Sequence, residues 1–136
     1  MKRTWSLYAP VYGRAMRRDE RAYSSMYEHI SELAADKDLL EVATGSGLLT
    51  KHIAKAARTV TATDYAEGMV REARKVDNPA NLAFEIADAT ALPYADVSFD
   101  VIVIASALHV MDDPDGALAE KGCTPRSCRS SRATPR

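Results

Sequence analysis

The stretch Glu41-Val-Ala-Thr-Gly-Ser-Gly47 constrains this chain more than any other. It follows the apolar pair Leu39-Leu40 and leads into Leu48-Leu49-Thr50-Lys51-His52-Ile53. An acidic residue on a buried strand is therefore followed by two glycines spaced by one residue, and then by an amphipathic helix. Glycine at 45 and 47 permits backbone angles and a closeness of approach that a side chain would block, and a helix N-terminus presents backbone N–H groups to a ligand. The segment reads as a nucleotide-binding turn. Two glycines also occur in ordinary strand-to-helix turns, and this segment alone leaves both readings open.

Two further acidic strand ends favour the first. Thr59-Val-Thr-Ala-Thr-Asp64 is a β-branched run ending in Asp, about 20 residues beyond the glycines, where a βαβ unit carries its ribose-binding carboxylate. Leu82-Ala-Phe-Glu-Ile-Ala-Asp88 repeats the pattern. A carboxylate has two strong acceptor oxygens, so it can take ribose hydroxyls or an adenine amino N–H. Three acids at successive strand ends would lie on the edge where open α/β sheets bind ligands.

Read together, Glu41-Val-Ala-Thr-Gly-Ser-Gly47, Ala62-Thr-Asp64, Ala87-Asp-Ala-Thr-Ala-Leu-Pro-Tyr-Ala-Asp-Val-Ser-Phe-Asp100 and the strand Val101-Ile-Val-Ile-Ala-Ser106 resemble a class I S-adenosylmethionine-dependent methyltransferase of the small-molecule, type 11-like kind. The resemblance runs from Leu39 to about Glu120. Ala43 stands where the family's pattern has its first glycine, and as the smallest replacement it should leave the turn intact. The resemblance implies S-adenosyl-L-methionine as cofactor, with Glu41 and Gly45 at its methionine end, Asp64 at the ribose, and Asp88 with Ala89 at the adenine. It adds Ala43, Gly47, Tyr65, Met69 and Ser106 to the cofactor-binding set. It also implies that Leu7-Tyr-Ala-Pro-Val-Tyr12 corresponds to a flexible leading segment that folds over the cofactor. The family's Tyr-Asp pair is Tyr12-Gly13 here, and Tyr8 and Tyr12 either close the pocket or anchor a helix on the sheet.

The coarse order is helix, helix, βαβαβ, a loop and a fourth strand. Ala22, Tyr23, Met26, Tyr27, Ile30, Leu33 and Ala34 form one stripe at helical spacing, and Leu48, Leu49, His52, Ile53 and Ala56 form a second. Asp64-Tyr-Ala-Glu67 reads as a capping box opening a helix that carries Met69, Val70, Ala73 and Val76. Strands alternating with such helices indicate an α/β, Rossmann-like parallel sheet with flanking helices. The expected organisation is an N-terminal helical cap over residues 1–36, a βα cofactor-binding core over 37–120, and a basic tail over 121–136.

That tail contains both cysteines and no acid, Val, Ile, Leu, Met or aromatic residue, so it cannot build a core. The family continues past Glu120 into a helix and three more strands, so the expectation is an aberrant end lacking the native C-terminal third. Cys123 and Cys128 lack a second ligand pair for zinc, and no metal site is expected. In the family the sheet order is 3-2-1-4-5-7-6. Val101-Ile-Val-Ile104 would then become an exposed edge, and residues 99–106 a template for self-association.

With 136 residues, 46% hydrophobic and a net charge of −1, the chain reads as one domain or slightly less. No basic excess points to nucleic acid. No apolar run approaches the roughly 18 residues of a transmembrane helix, so no membrane partner is expected. The start, Met1-Lys-Arg-Thr-Trp-Ser-Leu-Tyr, has no apolar h-region, and a cytoplasmic location is expected.

The expected activity is methyl transfer to a small-molecule acceptor. Because a sulfonium methyl is already activated, such an enzyme chiefly aligns the acceptor and excludes water. His109, just past the fourth strand, is a candidate base or acceptor-binding residue, or a loop residue without a chemical role. His29 and His52 are expected to be solvated. A nicotinamide-dependent oxidoreductase is disfavoured because Leu-Leu-Thr50 follows Gly47 with no third glycine. A non-catalytic cofactor-binding or interaction fragment stays open.

Overall fold

A computed structural model describes residues 2–18, 20–45, 47–75, 78–95, 98–105, 113 and 115–117. Two helices, α1 (Lys2–Arg18) and α2 (Glu20–Ala34), precede β1 (Asp38–Val42), α3 (Leu48–Ala54), β2 (Thr59–Asp64), α4 (Glu67–Arg74), β3 (Leu82–Ile86) and β4 (Val101–Ile104). The four strands form one sheet in the order β3-β2-β1-β4, and every pairing is parallel. The chain thus leaves β1 towards β2 and β3, then returns to β1's other side, which makes the β1/β4 boundary the topological switch point.

Register follows from the apolar alternation. Leu39, Val60 and Leu82 lie on the sheet face that packs α3 and α2, with Ile53, Ala54, Ala57, Tyr27 and Ala34 opposite them. Two residues further along, Ala62 and Phe84 pack against Val70 and Ala73 of α4. Leu40 and Val42 point to the other face and are also buried, so β1 is covered on both sides, as a central parallel strand requires. β4 pairs Val101 to Ile104 with Leu39 to Val42 and is the outermost described strand on that side. All four of its residues are half-buried.

At the N-terminal edge of the sheet, Asp38 accepts hydrogen bonds from the Arg58 guanidinium and from Thr59 Oγ1 at 2.7 Å. Asp100 Oδ2 accepts the Asp38 N–H at 3.0 Å, while the Asp100 N–H donates to the Asp38 carbonyl at 2.8 Å. Arg58, by its hydrogen bonds, holds the Asp38 carboxyl down at about 2. These contacts fix the starts of β1, β2 and β4 relative to one another. Asn81 closes the far end of α3, donating from Nδ2 to the carbonyls of Ala54 and Ala57 at 2.8 and 3.1 Å.

Several sequence expectations change. The α2 stripe holds at Tyr27 and Ala34, with Tyr23, Met26 and Ile30 partly buried, but Leu33 is exposed. The anticipated capping box is absent. Ala66, not Asp64, is the N-cap of α4, and its methyl side chain can make no cap hydrogen bond; Asp64 lies two residues earlier and bonds the Ala66 and Gly45 N–H groups. The α4 N-terminus is capped instead from α1, where Ser6 Oγ accepts the Gly68 N–H at 3.0 Å.

The leading segment 7–12 is helical and forms part of α1 despite Pro10. A proline inside a helix leaves the carbonyl four residues earlier without its intrahelical donor, and here that carbonyl belongs to Ser6. It faces Gly68 so closely that a Cβ there would lie 2.5 Å from Ser6 O. The glycine Cα–H therefore meets the freed oxygen. Trp5, Ala9, Ala66 and Met69 pack around this crossing. Among the described residues no helix is long and apolar enough to cross a membrane.

Candidate functional site

Glu41, Asp64 and Asp88 come to the same edge of the sheet, at or just beyond the C-terminal ends of β1, β2 and β3. Between them the chain leaves β1 through a run of left-handed backbone, with φ of 58° at Ala43, 61° at Gly45 and 82° at Gly47. Ala43 adopts the angle that a glycine would take without strain, so the alanine substitution preserves the turn.

Asp64 organises this turn. Its Oδ2 accepts the Gly45 N–H at 3.0 Å and its Oδ1 the Ala66 N–H at 2.9 Å. Burial raises its pKa, although hydrogen bonds from the backbone of Ala66, Gly45 and Tyr65 oppose the shift. The Thr44 N–H donates to Thr63 O at 2.9 Å and the Gly47 N–H to Thr44 O at 3.2 Å. Three backbone donors of the turn are thus engaged within the protein. With these three donors committed, the left-handed backbone at Ala43 and Gly45 leaves the turn open to close approach by a ligand.

Gly47 is explained by packing. A Cβ there would lie 2.7 Å from the Phe84 ring and 3.3 Å from Ala73 Cβ, so this glycine lets α3 sit close on the sheet.

Beneath the turn, Glu41 is buried and accepts hydrogen bonds from Thr50 Oγ1 and, at 3.2 Å, from Thr44 Oγ1. The two hydroxyls lie 2.5 Å apart. Desolvation pushes the Glu41 carboxyl up to about 7, against the lowering effect of the threonines and with a smaller contribution from the Asp64 charge. Glu41 is therefore a buried strut of the turn. Thr44 and Thr50 escaped the sequence reading, and the available signal was a polar residue at a buried helical position between Leu49 and Ile53.

The remaining candidates are scattered. Asp88 is exposed, and its Oδ1 accepts the Thr90 N–H at 2.8 Å and the Thr90 hydroxyl at 2.7 Å. The Ala87 N–H donates to Asp64 O at 3.1 Å, which ties this loop to the end of β2. Tyr65 and Ala89 are half-exposed near the same edge. Met69 is buried against Trp5 and Ala9, so its side chain fills the α1–α4 contact. Tyr8 is exposed on α1. His29 is exposed as expected, but His52 is half-buried and stacks on Tyr27 at 4.8 Å. Ser106, His109, the Tyr12 and Ala22 side chains, Val76 and the 121–136 tail lie outside the described residues. Among the described residues no cluster of His, Cys, Asp or Glu is arranged to hold a metal.

A family model described as "Methyltransferase domain" matches residues 40–121, which include the acid-rich edge and the turn. The chain belongs to this methyltransferase domain family. Demethylmenaquinone methyltransferase of Renibacterium salmoninarum is 38% identical over 82 residues, covering 60% of this chain and 34% of the relative. The ubiquinone/menaquinone biosynthesis C-methyltransferase UbiE of Burkholderia mallei is 40% identical over 87 residues, covering 60% and 36%. The chain thus spans about a third of the length of these curated relatives. Among solved structures, the DhpI–SAH complex superposes with a TM-score of 0.73 at 27% identity, covering 88% of this chain and 59% of that one. The fold is that of the class I methyltransferases.

Proposed function

We propose that the chain binds S-adenosyl-L-methionine on the β1–β3 edge and, as part of a methyltransferase, directs its methyl group to a small-molecule acceptor. The observation that carries this reading is the turn bound to Asp64 through the Gly45 N–H, with carboxylates on either side. A sulfonium and an ammonium are favoured by acidic surroundings, whereas a pyrophosphate is not. When bound, this cofactor supplies an activated methyl that passes to the acceptor's electron pair as the carbon–sulfur bond breaks.

The residues divide the work. Asp64 has roughly four lone-pair sites, and its three backbone donors leave room for a ribose hydroxyl. Asp88 and Ala89, with Tyr65 nearby, are assigned to the adenine side. Ala43 and Gly45 permit approach of the methionine end, and Glu41 supports them from beneath through Thr44 and Thr50. Ser106 stays with the cofactor-binding set, and Tyr8, Tyr12 and His109 belong to the acceptor side of this proposal. The names of the two relatives suggest a demethylated quinone ring as the first acceptor to try. A soluble, cytoplasmic protein and self-association through the outer edge of β4 complete the proposal.

The direct test incubates the 136-residue chain with methyl-labelled S-adenosylmethionine and a panel of small acceptors that includes demethylated quinols. Label in an extracted acceptor supports the reading. Tight cofactor binding without transfer to any acceptor would favour the non-catalytic fragment instead.

A further inference from the structure

We propose that the outer face of α1 is a docking surface for an anionic lipid bilayer. On one side of the helix Trp5, Ser6 and Ala9 meet Ala66, Gly68 and Met69 of the α4 region. Its opposite side carries Leu7, Tyr8 and Val11, which are 81%, 59% and 64% exposed. Those three are the majority of the large exposed hydrophobic side chains among the described residues, the others being Leu33 and Ile86. They form one patch, because Leu7 and Val11 are a helical turn apart and Tyr8 adjoins them. Arg3, four residues before Leu7, and Arg14, three after Val11, extend the same face and are exposed.

Charge selects the partner. Residues 1–18 contain Lys2, Arg3, Arg14, Arg17 and Arg18 and no Asp or Glu, although the chain as a whole carries −1. A short helix with exposed apolar residues in one strip, cations around it and an aromatic at the margin has the make-up of a helix that lies in the plane of a membrane interface. Two copies of such a face would repel each other, whereas anionic headgroups meet the cations while acyl chains take up Leu7 and Val11. Among the described residues no helix is long and apolar enough to cross a membrane, and a helix lying on one needs no such length. A single helix of this kind gives reversible attachment. The inference stands whether or not the chain transfers methyl groups.

Co-sedimentation of the full chain with vesicles tests it, comparing phosphatidylcholine alone with a phosphatidylcholine–phosphatidylglycerol mixture at low and high salt. The expected result is partitioning onto the anionic vesicles, weak partitioning onto neutral ones, and release by salt. Arg3→Gln with Arg14→Gln should weaken attachment roughly twenty- to thirtyfold, from about fivefold per cation. Leu7→Ser with Val11→Ser should weaken it at least tenfold. All four positions are exposed, and retention of Trp5 fluorescence and far-UV helicity checks that the variants fold. Equal binding to both vesicle types, no binding to either, or unchanged binding in both double variants overturns the proposal. So does a lipid-free dimer, detected by sedimentation velocity, that Leu7→Ser with Val11→Ser dissolves, since a second copy would then own the face.

Discussion

Ala43 holds φ 58° with a Cβ, a conformation that disfavours an L-residue by about 1–2 kcal/mol. Ala43→Gly relieves that strain while loosening the unfolded chain, so a net stabilisation of about 0.5–1 kcal/mol is expected in urea unfolding. Glu41 gives a second test at this scale. Its folded pKa is raised from 4.5 to about 7, chiefly by desolvation. Within that window the folded state binds the proton that the unfolded state has released. Stability is therefore fully present below about pH 4.5, falls as pH rises through about 7, and levels off above. The loss attributable to Glu41 is on the order of 3 kcal/mol. Unfolding curves between pH 5 and 8 should show this slope in the wild type and a much flatter profile in Glu41→Gln, which keeps an acceptor for Thr44 and Thr50. An equal slope in both would remove the burial argument. The acids and glycines were legible because their spacing along the chain is local. The duties of Glu41 and Gly47 were not, since they depend on Thr50 and on Phe84, 37 residues beyond Gly47.

β2 could be read to its ends from its β-branched run, and β3 ended two residues earlier than the Asp88 pattern suggested because the ladder stops where the loop turns back to Asp64 O. Helix ends were less legible. The α4 cap comes from Ser6, 62 residues away, and no local motif reports a donor–acceptor pair set by tertiary packing. Ser6→Ala should lower stability by about 0.5–2 kcal/mol, the usual effect of losing a cap. Gly68→Ala should do more, because its Cβ would meet Ser6 Cα at 2.5 Å and α1 would have to move. Trp5 is the only tryptophan and lies at that crossing, so its emission should shift to the red in Gly68→Ala. Unshifted emission would mean that α1 does not dock as described.

At the scale of the molecule, the order β3-β2-β1-β4 brings the strand ends together at the switch point; alternation of apolar strands with amphipathic helices was enough to anticipate parallel pairing, and the resemblance to the methyltransferases implied the order. The sequence could not reveal that Asp64 accepts the Gly45 N–H, a contact between two strand ends that only the folded chain brings together. The outer side of β4, the outermost described strand there, should support pairing with a second chain, and sedimentation velocity should detect association that Val103→Pro reduces. The account rests most heavily on the β1–β3 edge, and titration calorimetry tests it most directly. S-adenosylmethionine or S-adenosylhomocysteine should bind the wild-type chain at one site while NAD does not. Asp64→Ala should weaken that binding roughly ten- to a hundredfold, the loss of a charge-assisted hydrogen bond of ~1.5–3 kcal/mol. NAD binding, or a folded Asp64→Ala chain that binds S-adenosylmethionine as tightly as the wild type, would contradict the assignment.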